Sequence, residues 1–126
     1  MKYRDLYRKA QEMLEYSYAP FSKFHVGAAL LAKSGEVYTG CNVENSSFGG
    51  TICAERTAMV KAVSEGSRDW EAIAIVSSEG KAWPCGICRQ FMREFVDDDF
   101  IIITGDDVEH LETYTMTEIL PEGFKL

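Results

Sequence analysis

Three cysteines in two short clusters constrain this chain more than any other feature: Cys53 in Cys53-Ala54-Glu55-Arg56, and Cys85 with Cys88 in Pro84-Cys85-Gly86-Ile87-Cys88-Arg89-Gln90. A fold that uses them together must bring two distant segments to one point. A structural zinc site is closed by four protein ligands, whereas a catalytic one keeps three and leaves a position for water or substrate. Three thiols with one acid beside them therefore point to a metal centre with an open side.

The compartment decides how those thiols are read. The N-terminus, Met1-Lys2-Tyr3-Arg4-Asp5, opens into a mixed polar pattern without a signal-peptide core, and no apolar run reaches the length of a membrane span. A cytoplasmic protein follows, in which thiols stay reduced and serve as ligands, catalytic groups or core residues rather than disulfides. Cys41, between Gly40 and Asn42, reads as a small buried apolar residue. At 126 residues and 46% hydrophobic content the chain has room for one domain, residues 1–126, with a real core. Its net charge of -7, with Lys and Arg dispersed, argues against a nucleic-acid partner, which needs a basic patch. Asp97-Asp98-Asp99 reads as a solvated turn before it reads as a cation site.

Periodicity arranges the chain as alternating α and β elements. Tyr3, Leu6, Tyr7, Ala10, Met13 and Leu14 form one apolar stripe on an N-terminal helix, in a region closed by Pro20. The segments His25–Ala32 and Glu36–Val43 flank Lys33-Ser34-Gly35 and make a β-hairpin. A helix from about Ile52 to Glu65 follows, with Ala54, Ala58, Met59 and Ala62 inward and Gly66 as its C-terminal stop. Ala72–Val76 is a third strand. A second helix begins near Cys85 and runs through Phe95, Phe100–Thr104 is a fourth strand, and a fifth lies around Leu111–Tyr114. Thr115 and Glu118 have capping-box spacing ahead of a short last helix.

Both cysteine clusters thus fall where a strand passes into a helix. Unpaired N–H groups and the helix dipole there favour a thiolate. Cys85 and Cys88 share one helical face, and Cys53 must come from the tip of the other helix. Arg56, three residues after Cys53, is placed to donate to a ligand sulfur and offset the charge of three thiolates. Other readings stand beside this one. A single CxxC can be a redox pair, and a zinc ion can merely staple an interaction module, although Cys41, His25 and His110 have no spacing partner that would make any of them a fourth ligand.

The CAER and PCGICRQ segments resemble the zinc-dependent cytidine deaminases, specifically the short form with three cysteine ligands. The resemblance extends over Tyr18-Ala19-Pro20-Phe21-Ser22-Lys23-Phe24-His25-Val26-Gly27-Ala28-Ala29-Leu30, over Gly40-Cys41-Asn42-Val43-Glu44-Asn45, and to Ile119-Leu120-Pro121 with Phe124. It implies a three-layer α/β/α domain around a mixed sheet of about five strands. It also implies a Zn2+ cofactor on Cys53, Cys85 and Cys88, with Glu55 carrying a proton from the activated water to the pyrimidine N3 and then to the departing amine. Asn42 and Glu44 match positions that bind the ribose hydroxyls, and Phe24 matches an aromatic that packs on the nucleoside. Ala54, between Cys53 and Glu55, falls at the substrate, while Phe124 resembles a residue that reaches a neighbouring subunit's site in homotetramers. The implied activity is deamination of cytidine and deoxycytidine in pyrimidine salvage. A deaminase of another cytosine nucleoside, such as blasticidin S, shares the zinc motifs. Two positions depart from the pattern: Trp83 stands where the family commonly has serine, and Phe48 where it commonly has tyrosine.

Overall fold

Gly35 closes the predicted turn at φ 101°, in the left-handed region that glycine enters without strain. The segments on either side become β1 (Val26–Ala32) and β2 (Val37–Cys41), paired antiparallel from Gly27 opposite Cys41 to Leu31 opposite Val37. β3 (Trp70–Ser77) lies antiparallel on the other side of β1, β4 (Ile101–Gly105) runs parallel to β3, and β5 (Leu111–Thr115) returns antiparallel to β4. In this computed structural model, which describes residues 2–126, the sheet order is β2-β1-β3-β4-β5.

Alternation along the strands divides the core into two layers. Ala29 and Leu31 of β1, Ala72, Ala74 and Val76 of β3, and Ile103 of β4 face α1 (Lys2–Glu12), which supplies Leu6, Tyr7 and Ala10. Ala28, Leu30, Ile73, Ile75 and Ile102 face the opposite way. There they meet Ala54, Ala58, Met59 and Ala62 of α2 (Ala54–Ser64), Met92 of α3 (Gly86–Arg93), and Met116 and Ile119 of α4 (Met116–Ile119). The result is the three-layer α/β/α arrangement with a mixed five-stranded sheet. Two glycines let the helices sit close. A β-carbon at Gly27 would stand 2.1 Å from the Ala10 carbonyl oxygen under α1, and one at Gly40 would stand 2.5 Å from that of Ala54 under α2.

Local signals account for most element ends. Gly66, at φ 91°, follows the last turn of α2 and donates to Val63 O, while Ser67 N–H reaches Ala62 O, which together satisfy two terminal carbonyls. The capping box at α4 is complete, with the Thr115 side chain accepting from Glu118 N and the Glu118 carboxylate accepting from Thr115 N. Several bounds differ from the periodicity: α3 ends at Arg93, short of Phe95, whose N–H turns back onto Met92 O, and β3 is longer than Ala72–Val76 at both ends. The first helix tightens into a 3₁₀ turn at Met13–Tyr16, so Met13 and Leu14 extend its stripe in a different geometry. β2 stops at Cys41, because Val43 leaves the strand to pair with Ile52 and Tyr18. α2 starts only at Ala54, since Ile52 is used in that pairing and Cys53 is the cap.

Sheet topology positions the site. β2 and β3 are each antiparallel to β1, so they run in the same direction and the chain leaves both at the same end of the sheet. α2 follows β2 and α3 follows β3, so the two helices begin at that end. Open α/β sheets commonly place ligands beyond the carboxyl ends of their strands.

Candidate active site

Cys53 and Cys85 are the N-cap residues of α2 and α3, and Cys88 lies in the first turn of α3. Their three sulfur atoms all lie within 4.8 Å of one another, with Cys53 Sγ 3.7 Å from Cys85 Sγ. A tetrahedral zinc ion about 2.3 Å from each sulfur sets them about 3.8 Å apart. The trio therefore fits zinc, and a fourth position stays free of protein ligand. Cys88 is buried, whereas Cys85 opens toward solvent.

Hydrogen bonding already favours negative charge here. Cys53 has its thiol pulled down to about 5 by its hydrogen bonds, from Cys88 first and then from Arg56 and Cys85. The Cys88 thiol is pushed the opposite way, because it shares its proton with Cys53. Arg56 Nη2 donates to Cys53 Sγ at 3.5 Å, and Cys88 N–H donates to Cys85 Sγ at 3.4 Å. Arg56 Nε is buried without a partner among the described residues.

Glu55 sits in the first turn of α2 and is only 3% exposed. Burial is the main reason its carboxyl is lifted to about 7, and the charge on Cys53 adds to it. A cavity of about 200 Å³ opens over this carboxyl. It is lined by Cys53, Ala54, Glu55 and Cys85, by Phe24, Val26, Thr51, Ile52, Ala82 and Trp83, and by the polar Asn42 and Glu44.

The two polar residues are heavily used by the protein itself. Asn42 Oδ1 accepts from Val26 N at 3.0 Å and from Ser17 Oγ, and Nδ2 donates to Phe24 O at 2.7 Å. An amide nitrogen carries two hydrogens, so one donor remains. Glu44 Oε1 accepts from Phe21 N at 2.9 Å and Ser22 N at 3.1 Å, and Oε2 accepts from Ser22 Oγ. One acceptor position on Oε2 remains. The hydroxyl of Ser22 leads the causes that hold the Glu44 carboxyl below its ordinary range.

The structure therefore brings Cys53, Cys85, Cys88, Glu55, Arg56, Phe24, Asn42, Glu44 and Ala54 to one place. Phe124 lies elsewhere. Its carbonyl accepts from Gln90 Nε2 at 2.7 Å, and its ring stands over the outer face of α3 beside Ile87 and Phe91, in a larger apolar groove of about 660 Å³. That groove contains none of the cysteines. Phe48 is exposed and meets Phe21 edge to face at 6.0 Å. Motif reading passes over Val26, Thr51, Ile52 and Ala82, which are ordinary residues placed by backbone path alone. It also passes over Arg89, which fixes the second cluster by donating to Pro84 O at 2.7 Å and Ile119 O at 2.8 Å. Its position directly after Cys88 was the available signal.

Comparison with known proteins agrees with this geometry. Residues 1–104 match the cytidine and deoxycytidylate deaminase zinc-binding region, a span containing the three cysteines and Glu55. A cytidine deaminase of Sporosarcina psychrophila is 43% identical over 125 residues, covering 98% of this chain and 92% of that protein. One from Halalkalibacterium halodurans is 46% identical over 120 residues, covering 94% and 91%. Among solved structures, cytidine deaminase from Burkholderia pseudomallei superposes with a TM-score of 0.91 at 38% identity, over 98% of this chain and 100% of that one.

Proposed function

The chain belongs to the cytidine and deoxycytidylate deaminase family, and from that premise we propose that residues 1–126 form one deaminase unit converting cytidine and deoxycytidine to uridine and deoxyuridine in pyrimidine salvage. The observation that carries the reading is a buried carboxyl, Glu55, beside a cavity that is also lined by Cys53 and Cys85, two members of a zinc-fitting thiol trio completed by the buried Cys88. Zinc held by Cys53, Cys85 and Cys88 supplies the Lewis acidity that makes a water nucleophilic near neutral pH.

The remaining work falls to the chain's own groups. Glu55 accepts a proton from the attacking water and delivers it to N3 of the cytosine ring, so that C4 gains oxygen. Glu55 then accepts the remaining proton from the C4 hydroxyl and passes it to the amino group, the C4–N bond breaks as the C4=O bond forms, and ammonia leaves. Ala54 and Phe24 border the substrate, with Phe24 presenting an apolar face. The last hydrogen on Asn42 Nδ2 and the last acceptor position on Glu44 Oε2 serve the ribose hydroxyls. Arg56 draws charge from Cys53 and so limits how far three thiolates weaken the metal's pull on its water. An uncharged nucleoside suits an acidic chain whose cavity wall contains no lysine or arginine.

The finer reading includes assembly into a homotetramer with shared sites. Phe124 is 62% exposed and Ile87 64% exposed on the α3 groove, away from this chain's own cavity, as a residue destined for a neighbour would be. Among the described residues no helix is long and apolar enough to cross a membrane. The test pairs zinc content with the absorbance change on cytidine and deoxycytidine, for the wild type and Glu55→Ala. Zinc-loaded wild type that leaves both nucleosides unchanged would falsify the reading, and activity surviving in Glu55→Ala would remove the proton-carrying role.

A further inference from the structure

Trp83 is a large aromatic that lines the cavity, directly after Ala82 and two residues before Cys85 in sequence. Its backbone is fixed on both sides. Thr104 Oγ1, wholly buried in β4, donates to Ala82 O at 2.6 Å, and Arg89 Nε donates to Pro84 O at 2.7 Å. Its ring has two neighbours. The indole packs on Tyr114 of β5 with centroids 4.8 Å apart, and Lys81 Nζ lies 5.6 Å from the indole centroid. Lys81 in turn pairs with Glu112 at 2.7 Å, and Glu112 accepts from Tyr114 Oη at 2.5 Å. These contacts form a bracket from the loop to the edge strand. Despite it, 48% of Trp83 stays exposed, and the residue contributes to the cavity wall.

We propose that Trp83 is a substrate-contacting residue of this cavity, an aromatic wall that the Tyr114–Lys81–Glu112 bracket holds ready for the planar base of a nucleoside. The inference rests on the reading of the cavity as a cytidine site. Its physical basis is that a preformed ring gives contact area without losing rotamer freedom at binding, and that a flat base gains from an aromatic surface. A serine, the usual residue at this position, offers neither. Trp83 therefore acts on substrate affinity, whereas Glu55 and the thiols act on the chemical step.

The chain has two tryptophans, which makes the test direct. Trp70 is 4% exposed, packs on Phe95 at 5.0 Å and lies outside the cavity, so a change in emission on ligand binding reports Trp83. Uridine, the product, is titrated into zinc-loaded wild type, Trp83→Phe, Trp83→Ala and Tyr114→Ala, with KM and kcat for cytidine measured alongside. Wild-type emission should change with uridine, and Trp83→Phe should lose that change while keeping KM within about threefold, because an aromatic wall remains. Trp83→Ala should raise KM and the uridine Kd about tenfold with kcat little altered, the scale of a lost base–aromatic contact. Tyr114→Ala, which spares the indole but removes its backing, should raise KM by a smaller factor. Normal KM in Trp83→Ala, or wild-type emission indifferent to saturating uridine, overturns the inference while leaving deaminase activity standing. Wild type that neither binds uridine nor deaminates cytidine overturns the cytidine reading itself.

Discussion

Gly40 of β2 lies directly against Ala54 of α2: a β-carbon on Gly40 would stand 2.5 Å from the Ala54 carbonyl oxygen and as close to Ala58 N. Both atoms are backbone, so a side chain cannot be absorbed by a rotamer change. The first turn of α2 would have to lift from the sheet, taking Cys53 and Glu55 with it. Gly40→Ala should therefore cost about 1–3 kcal/mol of stability, as overpacking does, and lower zinc affinity beyond that loss. Gly27→Ala is the control, since its clash with Ala10 O is at least as severe but falls under α1, which supplies no ligand. Urea unfolding with chelator competition separates the two, and equal zinc affinity in both variants would refute the link between Gly40 and the site.

Arg56 Nη2 donates to Cys53 Sγ, the placement expected of a group that offsets thiolate charge. Arg56→Ala should weaken zinc binding or activity about 10–100-fold, the usual effect of removing a partner of a metal ligand. Chelator competition and steady-state kinetics on the same preparation measure both. Unchanged values in each would show that the guanidinium is structural only.

Metal removal should be read out in stability as well as activity. Free zinc at about 100 times its Kd adds about 2.7 kcal/mol to a fold that alone binds it. The melting temperature should rise with buffered zinc in wild type and stay flat in Cys88→Ser. A melting temperature independent of zinc in wild type would exclude the trio as a linked site.

Acid should release the turn that Glu44 holds. Its carboxyl lies below the ordinary range because Ser22 Oγ and the amides of Ser22 and Phe21 donate to the ionised form. A depressed folded value means that the contribution to stability is present above the unfolded value and is lost as pH falls through the folded one. The Phe21 and Ser22 amide resonances should titrate together, with a midpoint below that of an ordinary glutamate. A midpoint above it would show that these donors do not prefer the carboxylate.

Local signals made much of this molecule legible from residues alone. The turn at Gly35, the helix stop at Gly66, the Thr115–Glu118 box and the two cysteine caps each act within a few residues, where spacing determines geometry. Arg56 was legible for the same reason, being one helical turn from Cys53. The cavity was less so. Ala82 and Trp83 reach it through the bond from Thr104 and the packing on Tyr114, contacts that depend on sheet order and leave no local mark. How much of Asn42 the protein itself uses was hidden likewise, because its partners Val26, Phe24 and Ser17 come from a different part of the chain. Phe124 shows the limit of motif position, since its place on α3 is set by Gln90.

Cys53 and Cys85 are separated by 32 positions along the chain, and a whole strand lies between them. In an unfolded or partly synthesised chain only the Cys85–Cys88 pair is local in sequence. Adding Cys53 means closing the intervening loop, a cost that the seating of β3 beside β1 offsets in the folded protein. The complete trio is thus a product of folding rather than its seed. Metal binding is therefore coupled to assembly of the sheet: a chain whose sheet is misassembled lacks the preformed three-thiol site.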